Sequence, residues 1–130
     1  MIQFDVSSDS TCDLYKEYRE ERRIWFAPLT FTLDKNGKQE EGLDEFSCYQ
    51  DYIDFYKKVE DGAFPRTSML NYEAHLEHFR KMAAAGVKDV LHFSISSGLA
   101  RTVTVAKQAA EEIKKEYPEF NLYSVDPLTA

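Results

Sequence analysis

KDVLHFSISSGLARTVTVAKQAAEEIKKEYPEFNLYSV, residues 88–125, is the stretch that decides the fold. Its first eight residues, KDVLHFSI, are apolar enough for a strand buried on both faces. Ser96, Ser97 and Gly98 follow, and then a long helical stretch to about Tyr117, stopped by Pro118, which disfavours helix in the residue before it. NLYSV at 121–125 reads as a second strand. Strand, helix and strand in this order predict a parallel pair. The fold class that follows is α/β, a doubly wound and mostly parallel sheet with helices on both faces.

Working outward from this unit, residues 71–85 form a helix. Asn71 is placed to cap it, Tyr72, Leu76, Phe79 and Met82 point inward, and Gly86 ends it. His75 and His78, with Glu73 and Glu77, read as a solvated helix face rather than a metal site, because a divalent ion needs a third ligand. His92, inside an apolar strand, reads as a hydrogen-bonded core or rim residue. FPRTS at 64–68 reads as a loop. Before it, residues 47–60 form an amphipathic helix with Ser47 as its cap, Gly62 just past its end, and Tyr49, Tyr52, Ile53, Tyr56 and Val59 on the inner face.

Residues 24–31, IWFAPLTF, read as one strand with an irregularity at Pro28, which has no N–H to donate. DKNG at 34–37 carries the Asn-Gly pair of a tight hairpin turn, so 38–41 should fold back on 30–33 as a small antiparallel excursion. At the start, Ile2, Phe4 and Val6 alternate with polar residues in a strand over 2–7. Ser8, Asp9, Ser10 and Thr11 then cap a helix over about 13–21.

A chain of 130 residues with 43% hydrophobic content has the material for one core, so residues 1–130 read as one domain. The net charge of -7 repels nucleic acid and anionic membrane surfaces. No apolar run reaches the roughly 20 residues of a membrane helix, and MIQFDVSSDS lacks the features of a secretory signal, so a cytoplasmic protein is expected. Cys12 and Cys48 form no metal or redox motif and read as reduced thiols. Neither a cofactor nor a metal is expected. The stop at 126–130, directly after a strand, reads as that of a truncated or split protein.

In an open parallel sheet, ligands bind beyond the carboxyl ends of the strands, where helix N-termini offer unpaired N–H groups. Ser8 to Thr11, Ser96 and Ser97, and Asp126 lie at three such ends, and Thr67 and Ser68 of the FPRTS loop can reach the same rim. Hydroxyls and amides arranged in this way suit an anionic oxygen group. The plainer alternative is that each of these residues only caps a helix.

Five blocks in order along the chain carry a family resemblance. They are Asp9-Ser10-Thr11-Cys12-Asp13-Leu14, Ala27-Pro28-Leu29-Thr30, Glu41-Gly42-Leu43-Asp44, Pro65-Arg66-Thr67-Ser68 and Ile95-Ser96-Ser97-Gly98-Leu99 with Thr102. Together they resemble the landmarks of DegV proteins. The resemblance implies an amino-terminal α/β domain, a second, lipid-binding domain absent from this chain, and a long-chain fatty acid held between the two. It further implies a carrier, not an enzyme, that presents the acid to a separate fatty acid kinase. Carried over by position, it puts Thr67 and one of Ser96 and Ser97 on the carboxylate, with Ser68 and Asp9 beside them; Ser10, Arg101, Thr102 and Asp126 are read as further support.

The chain departs from the family pattern at three places. Arg101 stands where the serine block usually has a second glycine, and it can fill the head-group space, pair with the anion or face solvent. Met69-Leu70-Asn71 replaces Gln-Pro-Ser, and Pro127 replaces a serine. A rival reading is an α/β enzyme with Ser96 or Ser97 as nucleophile, or a binder of a phosphorylated metabolite, but the chain has no G-x-S-x-G, G-x-G-x-x-G or P-loop motif. A third is a partner-binding half protein that docks on a separate second domain.

Overall fold

Residues 3–128 are described by a computed structural model. The first strand is not the alternating segment at 2–7 but β1, Asp5–Asp9, and Ile2 lies outside the described residues. The side chains most buried in β1 are Ser7, Ser8 and Asp9. They are polar because they serve hydrogen bonds rather than the apolar core. The Asp9 carboxylate accepts from Thr11 N–H at 3.0 Å and so nucleates a single 3-10 turn, Ser10–Cys12. Asp13 then turns left-handed (φ 52°), which delays the helix expected from about 13; α1 spans Lys16–Glu21.

Residues 24–31 are divided between two sheets. β2, Trp25–Ala27, pairs in parallel with β1, whereas β3, Thr30–Lys35, belongs to a separate antiparallel sheet. The break falls at Pro28 and Leu29, where the Leu29 N–H leaves the ladder and donates to Ser10 Oγ. Asn36 (φ 55°) and Gly37 (φ 78°) make the hairpin turn as the Asn-Gly pair predicts, and β4, Lys38–Leu43, pairs with β3. FPRTS is not a loop. It is β5, Phe64–Ser68, the other edge of the order β4-β3-β5, an edge position being one that tolerates Pro65.

α2, Tyr49–Glu60, covers this small sheet. Its cap is Cys48 rather than Ser47, whose N–H donates to the Asp51 carboxylate. Tyr52, Phe55 and Val59 turn inward, and Phe55 meets Phe31 edge-on at 5.0 Å. Tyr49, Ile53 and Tyr56, expected on the inner face, are exposed, because a three-stranded sheet is too narrow to cover the whole apolar stripe. Close packing also fixes Gly42, where an added Cβ would lie 2.5 Å from the tip of the Phe31 ring. We expect Gly42→Ala to cost about 1–3 kcal/mol, read as a lower urea midpoint; an unchanged midpoint would show that the ring moves aside freely.

The larger sheet is wholly parallel, in the order β2-β1-β6-β7, with β6 at Asp89–Phe93 and β7 at Asn121–Val125. α3, Tyr72–Ala84, is capped by Asn71, whose side-chain oxygen accepts from Ala74 N–H. α4 spans Thr102–Glu116. The two helices pack together on one face of the sheet. The core lies beneath them: Leu76, Phe79 and Met82 from α3, Ala106, Ala109 and Ile113 from α4, and Val90 and Phe120. Arg80 clamps Glu116 across the pair with two hydrogen bonds, 3.1 and 2.8 Å long. α1 lies on the opposite face, where its Arg19 guanidinium sits 3.4 Å from the centre of the Phe26 ring. With only six residues, α1 leaves Phe93 and Tyr123 of that face exposed.

Candidate functional site

The candidate site grows from the carboxyl ends of β1, β6 and β7. Asp9 ends β1 with no exposed surface, and its carboxylate accepts from Thr11 N–H, the Thr11 hydroxyl and, at 3.3 Å, Ile95 N–H. One buried side chain therefore ties the turn after β1 to the turn after β6, which carries Ser96 and Ser97. Asp126, just past β7, accepts from Ser97 N–H and Leu128 N–H, each at 3.2 Å. The Ser97 hydroxyl, then these two amides, hold its carboxyl below the ordinary carboxylate range.

The small sheet is tied to the turn after β1. Ser10 Oγ accepts from Leu29 N–H at 3.0 Å, and the next residue, Thr30, is in register with Ser68 while Phe31 is in register with Thr67. A continuous path of backbone register and hydrogen bonds thus runs from Thr67 and Ser68 through Leu29, Ser10 and Asp9 to Ile95 and Ser96. Thr67, Ser68 and Ser97 face solvent; Ser96 is buried, with its Oγ accepting from Gly98 N–H at 3.2 Å. Thr102 opens α4 fully buried, and its hydroxyl has no protein partner. Arg101, beside it, is exposed and caps nothing through its side chain. Below the rim lies an apolar recess of about 370 Å³, bounded by Val6, Leu14, Ile24, Phe93 and Ile95.

We expect Asp9→Ala to loosen this rim, because Thr11 N–H and Ile95 N–H lose a buried acceptor. A loss of about 1–3 kcal/mol in urea unfolding is the expected size, with faster amide exchange at Ile95. Unchanged exchange there would show that Asp9 does not brace the two turns.

Sequence reasoning missed a buried polar cluster under the site. His75 and His78 are not on a solvated face: they lie beneath α3, together with His92 of β6, around Ser7 of β1. Ser7 Oγ is 2.7 Å from His78 Nε2 and 2.9 Å from His92 Nδ1. His75 Nδ1 bonds to the Asn71 carbonyl at 2.9 Å, which leaves its Nε2 without a protein partner, as is His92 Nε2. Burial, then the neighbouring histidines, push His78 down to about 4 and His92 down to about 3. The cluster resembles a serine activated by a base. But Ser7 is 0% exposed, so no substrate reaches its hydroxyl. The signal available in the sequence was the i, i+3 pair His75 and His78 flanking Leu76 and Phe79 on the inward stripe of the helix.

In an open α/β sheet, the carboxyl ends of the strands, which here carry the rim hydroxyls, are where ligands bind. The comparisons with known proteins make this specific. The DegV family model, described as that of an uncharacterised protein, matches residues 3–130. A DegV domain-containing protein of Streptococcus pyogenes is 31% identical over 129 residues, covering 99% of this chain and 43% of its own length. Among solved structures, a stearic acid-binding protein from Eubacterium ventriosum superposes with a TM-score of 0.76 at 26% identity, covering 95% of this chain and 41% of that one. A Thermotoga maritima protein described as revealing fatty acid binding function gives 0.78 at 25% identity, covering 100% and 44%.

The chain belongs to the DegV family, and it spans less than half the length of these relatives. The α/β fold expected from residues 88–125 is the fold they share. No helix among the described residues is long and apolar enough to cross a membrane.

Proposed function

We propose that this chain forms the head-group half of a fatty-acid carrier. Thr67 and a serine of the Ser96-Ser97 pair hold the carboxylate of a long-chain fatty acid, with Ser68, Asp9, Ser10, Thr102 and Asp126 shaping the rim. The observation that carries the reading is the buried Asp9 carboxylate, which fastens the Ser96 turn to the end of β1, where Ser10 in turn meets the small sheet that bears Thr67. Neutral hydroxyl and amide donors can grip a carboxylate and still leave one oxygen free to attack a phosphoryl donor. The chain then needs no catalytic base, and phosphorylation falls to a separate fatty acid kinase.

Burial of the tail contributes roughly 0.8 kcal/mol per methylene, so most of the affinity lies away from the head group. We assign that part to a second, lipid-binding domain not included in this sequence. In support, Phe93 and Tyr123 stand exposed on a face that parallel sheets normally cover. The 130-residue chain by itself is accordingly a weak lipid binder.

Titration with sodium octanoate, followed by amide NMR, tests the reading. The amides of Thr67, Ser97 and Gly98 are expected to shift with millimolar affinity, and Thr67→Val with Ser96→Ala is expected to weaken the effect at least tenfold. Shifts confined to other parts of the molecule, or a stronger response of the same amides to a phosphorylated sugar, would overturn it. Nanomolar retention of a long-chain acid by the chain alone would remove the need for a second domain.

A further inference from the structure

α2 carries a second apolar seam that the small sheet does not use. Tyr49, Ile53 and Tyr56 recur at helical spacing on its outer side and are 68%, 40% and 61% exposed. Across from them stands Tyr15, whose ring meets that of Tyr52 edge-on at 6.0 Å. The tyrosines and Ile53 line one open groove of about 750 Å³. Exposed, adjoining aromatic residues of this kind mark interaction surfaces rather than ordinary surface.

The charge around the groove says what fits it. Asp13 and Glu60 lie on its wall, with Lys57. Between Glu40 and Asp61 the chain carries eight acidic residues against two lysines, and one of these, Lys58, is paired with Glu40 at 2.6 Å. Burial pushes the Asp44 carboxyl up against the Ser10 hydrogen bond that lowers it, and the carboxylates of Asp13 and Asp9 lie near enough to push it the same way as burial. A second copy of this chain would set one acidic face against another. Anionic lipid surfaces and nucleic acid are repelled for the same reason.

A guanidinium suits such a surface best. It is planar and weakly hydrated, stacks on tyrosine faces, and pairs with carboxylates through two parallel hydrogen bonds. The geometry points to a docking site, formed by Tyr15, Tyr49, Ile53 and Tyr56 with Asp13 and Glu60, for an arginine-bearing surface of a separate protein. The groove also adjoins the ligand rim, since Asp13 directly follows the Ser10–Cys12 turn. A partner docked there stands beside the carboxylate site. This last step rests on the carrier reading; the docking itself does not.

Fluorescence anisotropy of a labelled 14-residue helical peptide with arginines along one face, mixed with the full chain, tests the inference. Glutamate and lysine versions serve as references. We expect saturable binding of the arginine peptide at least tenfold tighter than that of the glutamate peptide, tighter than that of the lysine peptide, and weakened by salt. Tyr49→Ser with Tyr56→Ser, and separately Asp13→Asn with Glu60→Gln, should each weaken it at least tenfold while thermal melting is unchanged. Equal binding of the arginine and glutamate peptides, or full binding by both double variants, overturns the inference. So does a dimer in sedimentation that the tyrosine variant dissociates, because the face then belongs to a second copy. Octanoate titration of the unsubstituted chain keeps the two readings apart: no octanoate response with peptide binding intact sinks the carrier reading alone.

Discussion

Acidification from pH 7.5 to pH 5 is expected to remove roughly 4 kcal/mol of folding stability, about 2 kcal/mol for each of His78 and His92. Both imidazoles are held neutral by burial, with folded values of about 4 and about 3 against 6.5 for the ordinary side chain. The unfolded chain therefore takes up protons first as the pH falls. The stabilisation is complete above about 6.5 and is lost between there and the folded values. His75, shifted in the same direction, adds to the effect. Asp44, raised by burial, protonates earlier when folded and offsets a small part. The lowered carboxyls of Asp51, Glu116 and Asp126 titrate further down and leave this window to the histidines. Urea midpoints measured at half-unit intervals check the prediction; a midpoint flat from pH 7 to pH 5 would mean that the three imidazoles are reached by water.

Phe79→Ala is expected to cost about 3–5 kcal/mol, at the top of the range for a single substitution. The ring is fully buried, and its centre lies 5.0 Å from that of His92, 5.6 Å from those of His75 and His78, and 6.2 Å from that of Phe120. It thus separates the histidine cluster from the apolar core. Its removal leaves a cavity bordered by two unpaired imidazole nitrogens, a polar void that water can enter. The variant should therefore show a second sign: a shallower loss of stability below pH 6.5, because hydrated histidines recover more ordinary titration. Destabilisation with an unchanged acid limb would show that Phe79 only fills space.

The two predictions concern residues that the sequence presented differently. Phe79 was legible as core from its spacing with Leu76 and Met82. His75 and His78 were not, since short-range reasoning assigns a helical His/Glu stretch to solvent, and the outcome depends on Ser7, which bonds His78 across 71 residues and His92 across 85. The site divides in the same way. The roles proposed for Thr67, Ser96 and Ser97 come from the resemblance that the five blocks carry. The links between the elements that bear them depend on Asp9 reaching Ile95 across 86 residues and on Ser10 reaching Leu29.

By itself the sequence determined the strand, helix and strand of residues 88–125, the Asn-Gly hairpin, the Asn71 cap and the family. Each is set by interactions within a turn or two of the chain, or by blocks of residues that need no coordinates. Only the tertiary structure decided that residues 24–31 divide between two sheets, that FPRTS is a strand, that the outer seam of α2 stays open and that two histidines share one serine. In each of these the local preference is nearly balanced, and a partner far away in the chain supplies or withholds the burial and hydrogen bonds that tip it.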